Sequence, residues 1–136
     1  MKRLRVDLGG VNLVLTGIFF GVLQWSAFFQ LQSNLAATAL VWMLATVAWL
    51  SGSLLGLVIP GPDRELGWLA ATTLGYYLLR WLAAAHVYDL NWLPPLLGCV
   101  VIMGGYAGRF FRCRQAGPGG ARRLFTLENT GFVAGM

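Results

Sequence analysis

Charged side chains are scarce in this sequence, and one long stretch has none. Only 11% of the 136 residues are charged, whereas 57% are hydrophobic. No ionisable residue occurs between Leu8 and Pro62, a stretch more than twice the roughly 20 residues that one membrane-spanning helix needs. This composition excludes a soluble globular domain of ordinary kind and predicts an integral membrane protein.

The residues of most self-contained active sites are also missing. A single histidine excludes bis-histidine haem ligation within the chain, and no Cys-x-x-Cys or His-x-x-x-His pair is available for a metal. The glycine motifs that bind nucleotide phosphates are absent, and no apolar segment carries a carboxylate of the kind that proton-coupled transporters use. Cys99 and Cys113 lie about 20 Å apart along one helix, too far for a disulfide. We therefore predict a protein that is not an enzyme and that binds no metal and no cofactor.

What the sequence does contain is a set of four apolar segments, each long enough for a membrane-spanning helix. They cover about residues 11–31, 35–59, 66–88 and 93–111. The first has about 21 residues, more than the ~7–15 of the apolar region of a signal peptide, so we expect it to be retained. Polar residues separate the first two segments, Pro60–Glu65 separates the next two, and Pro94 and Pro95 fit the first turn of the fourth. The predicted fold is an all-α integral membrane bundle of four transmembrane helices.

The basic residues define the orientation of this bundle. Nine of the ten Lys and Arg residues fall on one side: Lys2, Arg3, Arg5, Arg64, Arg109, Arg112, Arg114, Arg122 and Arg123. Because short loops rich in Lys and Arg stay inside, both termini are predicted to be cytoplasmic, and their common side requires an even number of spans. The same face should attract anionic lipid headgroups, and the charges need no nucleic-acid partner to explain them.

The last part of the chain is predicted to be a tail outside the bundle. Residues 1–114 would form the transmembrane domain, and residues 115–136 a cytoplasmic tail with a hinge at Gly117-Pro118-Gly119-Gly120. The apolar part from Leu124 to Met136 has about 13 residues, too few to span a bilayer. We expect the tail to lie on the membrane surface, pack against the bundle or bind a partner.

Small residues recur four positions apart in every predicted helix. The pairs are Gly17 and Gly21, Gly52 and Gly56, Ala71 and Gly75, and Gly104 and Gly108. Such pairs let helix backbones approach closely in lipid, where packing drives association. They predict either a tight bundle or docking on other helices, because the pattern does not say whether the pairs face inward or outward.

Arg80 interrupts the third apolar segment. It lies about 15 residues past the cytoplasmic end of the third segment, or ~22 Å along a helix. An arginine at this depth needs a partner, a water-filled cavity or a route to the headgroups. Three interpretations stay open: contact with lipid phosphates, a carboxylate or carbonyl partner on another helix or subunit, or a role in transport or substrate binding.

Two further residue pairs are candidates for functional or partner contacts. His86 and Asp89 are three positions apart near the outer end of the third segment, so they can touch on one helical face. They could move a proton or bind a headgroup, although an interfacial hydrogen bond is the commoner use. Trp42 and Trp49 share one helix face, which is either a contact with a protein or hydrophobic cofactor or simply lipid-facing.

Two glycine-containing pieces of the sequence have a counterpart in a known family. The second segment ends in Ser51-Gly52-Ser53-Leu54-Leu55-Gly56, and the tail contains Asn129-Thr130-Gly131. Here, and in the order of its parts, the chain resembles the first half of the transmembrane region of bacterial spermidine-synthase-like membrane proteins. Their second half opens with Asn-Thr-x-Gly, which is one residue longer than the spacing in this sequence. Since the catalytic domain of that family is soluble and Rossmann-like, the resemblance implies a transmembrane module without an active site.

The sequence has many small and aromatic residues suited to helix contacts and lacks the motifs of a self-contained active site. This combination favours a non-catalytic accessory or scaffold subunit of a larger bacterial membrane protein complex. Its expected partners are other membrane protein subunits and lipids, and its expected location is the bacterial inner membrane. The alternative function is a small homo-oligomeric transporter or channel with Arg80 in an anion or lipid-headgroup path. Enzymatic and cofactor-binding roles rank last.

Overall fold

The computed structural model describes residues 8–59, 65–114 and 120–136, and most of these residues are helical. The α-helices in these ranges are α1 Leu8–Asn34, α2 Ala39–Val58, α3 Glu65–Ala85, α4 Leu93–Arg114 and α5 Gly120–Gly135. A short 3₁₀ helix, Leu90–Trp92, leads into α4. No strand occurs in the described ranges, so the all-α prediction is confirmed.

Three helical segments are long and apolar enough to cross a membrane. They are Gly10–Asn34, Ala39–Val58 and Leu90–Arg114. They support the prediction of a membrane protein, because helices of this length and hydropathy are those that a bilayer accommodates. The 21 residues of α3 are not among them, since tyrosine, threonine and Arg80 dilute its aliphatic side chains.

The helix ends differ from the predicted bounds by up to four residues, and two of the differences have a local cause. The second helix begins at Ala39 rather than at residue 35, because Thr38 is extended and its hydroxyl accepts a hydrogen bond of 3.3 Å from the Val41 amide. The third helix ends at Ala85 rather than at Tyr88. Tyr88 has a left-handed backbone with φ 60°, which cannot continue a right-handed helix.

The chain divides into two compact units. One consists of Met1–Val22 with Arg114–Met136, and the other of Leu23–Cys113. In the described ranges the first unit is therefore the beginning of α1 together with α5, and the second contains the end of α1 with α2, α3 and α4. This grouping differs from the predicted division at residue 114, because the tail belongs with the first turns of α1.

The second unit is built on direct backbone contact between α2 and α4. A methyl group added at any of four glycines would overlap the backbone of the facing helix: Gly52 faces Val101, Gly56 faces Gly105, Gly104 faces Trp49 and Gly108 faces Ser53. Residue numbers rise together along both helices, so α2 and α4 run parallel. The hydroxyl of Ser53 lies between them, 3.0 Å from the Trp49 carbonyl oxygen and 3.2 Å from that of Gly104. Both predicted glycine pairs therefore face inward.

The packing of α3 against α4 is looser. A methyl group at Gly75 would lie 3.6 Å from the Cys99 carbonyl oxygen and 3.7 Å from Met103, which are ordinary contact distances. Leu79 and Ala83 are fully buried on the same side of α3. The inward face of α3 is thus held by side chains rather than by backbone contact.

The first unit repeats the parallel glycine arrangement. Gly17 and Gly21 of α1 lie against the backbone of α5 at Glu128 and Phe132. In return, Gly131 and Gly135 of α5 lie against the backbone of α1 at Val14 and Ile18. The first-helix pair again faces inward, and the part of the tail that the structure describes forms a packed helix. The hinge residues 117–119 lie outside the described ranges.

Candidate functional site

Arg80 projects from the outward face of α3. Its side chain is exposed, as are those of Tyr77 and Trp81 beside it, while Leu79 is fully buried. It makes no hydrogen bond or ion pair within the part of the chain that the structure describes. The guanidinium therefore lies on a face covered by aromatic and aliphatic side chains rather than inside the helical unit.

The position of Arg80 along α3 limits what it can reach. It is five residues before the end of the helix at Ala85, or about 7 Å along the helix axis. An arginine side chain can extend over that distance to the headgroups, or it can meet a carboxylate on a neighbouring helix. Its exposed position is compatible with lipid contact, with partner contact and with a role in transport.

The side chains of His86 and Asp89 do not form the predicted contact, although the Asp89 amide donates a backbone hydrogen bond of 3.3 Å to the His86 carbonyl. The helix ends before both residues, and the Asp89 carboxylate accepts hydrogen bonds from Asn91, 3.0 Å from its amide and 2.9 Å from its side-chain nitrogen. The His86 ring instead stacks on Trp92, with 3.7 Å between ring centroids. The helical spacing that would have brought the pair together is lost because α3 stops one residue before His86.

A backbone hydrogen bond connects the two loops at this end of the second unit. The amide of Tyr88 donates to the carbonyl of Asn34 over 2.7 Å. The left-handed backbone of Tyr88 is unusual for a bulky side chain. This contact therefore holds the connection after α3 to the end of α1, and the feature is one that the sequence did not reveal.

Trp42 and Trp49 pack inside the second unit. The Trp42 ring lies edge-on to Trp25, at 5.7 Å between centroids, and to Phe28, at 4.9 Å. Trp49 is buried, and its backbone meets Gly104. Trp42 is half-buried, so both residues make contacts between helices of this chain, and part of the Trp42 ring stays exposed.

Two arginines near the end of α4 bind the end of α2, a role that sequence reasoning missed. Arg109 is 4% exposed and donates to the Ile59 carbonyl over 3.1 Å. Arg112 donates to the Ile59 carbonyl over 2.7 Å and to the Val58 carbonyl over 3.2 Å. The last carbonyls of a helix lack intrahelical donors and carry partial negative charge, so both guanidinium groups stabilise this terminus.

Glu128 is another residue that sequence reasoning missed. It lies on α5, is 7% exposed, and has no hydrogen-bond or ion-pair partner in the described ranges. Burial raises the pKa of the Glu128 carboxyl above its ordinary value. The sequence did contain a signal, because Glu128 lies three residues before Gly131 in a segment with apolar side chains. That segment is too short to span a membrane, and for this reason Glu128 was not identified as a candidate.

The described residues offer no cluster for a metal, since no three His, Cys, Asp or Glu side chains come together there. Cys99 is buried and Cys113 exposed, and neither forms a disulfide in the described ranges. The candidate functional groups in the described ranges are thus two single ionisable side chains, Arg80 and Glu128, each with apolar neighbours. Comparisons with protein-family models, with curated proteins and with solved structures give no match to this chain.

Proposed function

We propose that α3 is a fourth membrane-spanning helix. Its support is the parallel packing of α2 and α4, both of which are long and apolar enough to span. Two parallel spans begin on the same side of the membrane, so the chain must cross back between the end of α2 and the start of α4. The helix between them is α3. Its 21 residues extend about 30 Å, the thickness of the hydrocarbon core.

The basic residues support cytoplasmic ends for this topology. Arg109, Arg112 and Arg114 lie in the last turns of α4, and Arg122 lies in the first turn of α5. The loops predicted to lie outside carry no Lys or Arg. Under the positive-inside rule this asymmetry supports a cytoplasmic end for α4, as proposed for a multi-pass protein of the bacterial inner membrane.

The function that the geometry supports best is that of a non-catalytic accessory subunit of a larger membrane complex. The observation that carries it is Arg80, an exposed charge on the membrane-facing side of α3 with no partner in the described part of its own chain. A carboxylate on a helix of a neighbouring polypeptide would neutralise it in lipid. Tyr77 and Trp81 would pack at the same contact.

A photo-crosslinking residue at Tyr77 tests this proposal, with the same residue at Leu50 as a control on the exposed face of α2. We expect the Tyr77 position to crosslink a different membrane polypeptide and the Leu50 position to crosslink none. Arg80→Ala should abolish both the crosslink and co-purification in mild detergent, whereas Arg80→Lys should retain part of each.

The proposal would be overturned if Arg80→Ala left the crosslinks unchanged. It would also be overturned if the native chain purified in mild detergent without any other polypeptide. Crosslinks between copies of this chain alone would instead favour the homo-oligomeric transporter or channel. In that case, unchanged flux of anions or lipid headgroups by Arg80→Ala in reconstituted vesicles would remove Arg80 from the path.

A further inference from the structure

The beginning of α1 and the helix α5 share one sequence motif. Each contains a threonine, a glycine directly after it and a second glycine four positions later: Thr16, Gly17 and Gly21 in α1, and Thr130, Gly131 and Gly135 in α5. Corresponding residues lie 114 positions apart, as Gly17 and Gly131 show. The Thr16 hydroxyl donates to the Asn12 carbonyl over 2.9 Å. The Thr130 hydroxyl donates to the Thr126 carbonyl, again four residues earlier, over 2.8 Å. The two helices thus repeat one element in sequence and in local structure.

The contacts between these helices repeat with the same shift. A side chain added at any of the four glycines would meet the backbone of the facing helix, and the contacts form two equivalent pairs: Gly17 with Glu128 and Gly131 with Val14, then Gly21 with Phe132 and Gly135 with Ile18. Val14 lies 114 positions before Glu128, and Ile18 lies 114 positions before Phe132. Exchange of α1 and α5 therefore turns each contact into the other member of its pair. The parallel pair has approximate twofold symmetry, and both helices use the same face.

A twofold contact between equal faces is also the geometry of a symmetric homodimer, in which one surface patch meets its own copy. Two copies of one chain insert into a membrane in the same orientation, so their α1 helices are parallel, as the symmetry requires. The candidate span Gly10–Asn34 includes both glycines of the α1 face. A second α1 can therefore occupy this face in the register in which α5 now lies.

Glu128 distinguishes the possible pairs of equal helices. Its equivalent in α1 is Val14, so a pair of α1 helices has an apolar side chain at this position on both sides. A pair of α5 helices would bring two Glu128 side chains to one contact, and repulsion between their carboxylates disfavours it. The symmetric pair that the sequence favours is hence that of two α1 helices.

We propose that the face of α1 formed by Gly17 and Gly21 is a homodimerisation surface, and that α5 of the same chain covers it. In this arrangement α5 takes the place of α1 from a second copy. The pairing of α5 is intramolecular, so its effective concentration at α1 exceeds that of another copy. Displacement of α5 frees the surface for the second copy. The surface lies on α1 and is independent of the proposed contact through Arg80.

Matched glycine substitutions test this proposal, because a large side chain on either helix breaks the α1–α5 pair but only a change on α5 leaves the α1 face intact. The full chain is produced with two different affinity tags in the same cells, and purification through one tag in mild detergent is followed by quantification of the other. We expect Gly131→Leu to raise recovery of the second tag by roughly tenfold or more over the native chain. Gly17→Leu should leave it at the native level. Gly135→Leu and Gly21→Leu repeat the comparison one turn further along the pair.

An introduced thiol reports whether α5 has left α1. Leu124 of α5 is 2% exposed, so Leu124→Cys, in a chain with Cys99 and Cys113 replaced by serine, should react slowly with a thiol reagent. Addition of Gly131→Leu should make this thiol react roughly tenfold faster or more, because the leucine side chain overlaps the backbone of α1 at Val14. A thiol that stays unreactive would contradict the close twofold pair on which the proposal rests.

The proposal is overturned if Gly131→Leu exposes the thiol while recovery of the second tag stays at the native level. It is also overturned if Gly17→Leu raises recovery as much as Gly131→Leu, because the copies would then associate without the α1 face. The chain that carries both substitutions should return to the native level. Recovery that stays high in that chain would place the contact between copies elsewhere and would contradict the proposal.

Discussion

At the scale of single residues, Arg80, Arg109 and Arg112 show how one residue type takes different roles once helices are packed. The first is exposed on α3 and makes no hydrogen bond in the described ranges, whereas the other two bind the carbonyls at the end of α2. Sequence reasoning treated Arg109 and Arg112 only as cytoplasmic charges. The hydrogen bond of Arg109 joins residues that are 50 positions apart in the sequence. No local sequence pattern could show such a contact.

Replacement of Arg112 by alanine should destabilise the protein. The substitution removes the donor to the carbonyls of Val58 and Ile59, and we expect a loss of about 1 kcal/mol in the free energy of unfolding. Unfolding in mixed micelles, followed by circular dichroism, measures it. Arg122→Ala is the matched control, because Arg122 is exposed and its side chain makes no hydrogen bond within the described residues. Equal losses in the two variants would show that the carbonyl contacts contribute nothing.

The Glu128 carboxyl gives the protein a pH dependence with a defined sign. Its pKa in the folded protein is raised, so the folded state holds the proton at pH values where the unfolded chain, with a pKa of about 4.3, has released it. Stability should therefore be highest below about pH 4 and should fall as pH rises from there to the folded-state pKa.

Glu128→Gln should remove that pH dependence. The variant should match the native protein at pH 4 and should be the more stable of the two at pH 8, because glutamine never ionises. Thermal unfolding in detergent over pH 4–8 makes the comparison. Parallel decline of the two proteins with rising pH would mean that Glu128 is not the group responsible.

At the scale of helices, the glycine pairs are the feature that sequence reasoning identified most completely. The pairs of α1, α2 and α4 all occur at close helix contacts, and Gly75 of α3 lies at an ordinary one. Their inward direction could not be predicted, because a glycine looks the same whichever neighbour it meets. Gly131 and Gly135 were missed for another reason: the tail was judged by its length, which is too short for a span, and its glycines were therefore not compared with those of α1.

Gly108→Ala should separate α2 from α4. The added methyl group would overlap the Ser53 carbonyl, so the helices must move apart, and we expect a loss of about 1–3 kcal/mol in the free energy of unfolding. Gly98→Ala is a control on the same helix, because nothing lies within 4 Å of the added methyl group. That variant should be neutral or slightly more stable, since alanine is the better helix former. The ranking is measured by unfolding in mixed micelles, and the reverse ranking would contradict the backbone contact.

At the scale of the whole molecule, composition alone was enough to predict a helical membrane protein, because it depends on long apolar segments that are visible in the sequence. The positions of helix ends were less predictable. The extended backbone of Thr38 makes α2 begin later in the sequence than predicted, and α3 ends earlier than predicted, before the left-handed Tyr88. Both differences depend on local backbone geometry. The pairing of α5 with the beginning of α1 joins residues from opposite ends of the chain, which no window of sequence contains.

The crossing of the membrane by α3 is the central claim, and accessibility of its two ends tests it directly. In a background with Cys99 and Cys113 replaced by serine, one cysteine is introduced at Ile59 or at Leu90, both exposed positions. A thiol reagent that does not cross membranes is then applied to intact cells and to inverted vesicles. We predict that the cysteine at Leu90 reacts only in intact cells and the cysteine at Ile59 only in inverted vesicles. Reaction of both cysteines from the same side would contradict a membrane-spanning α3.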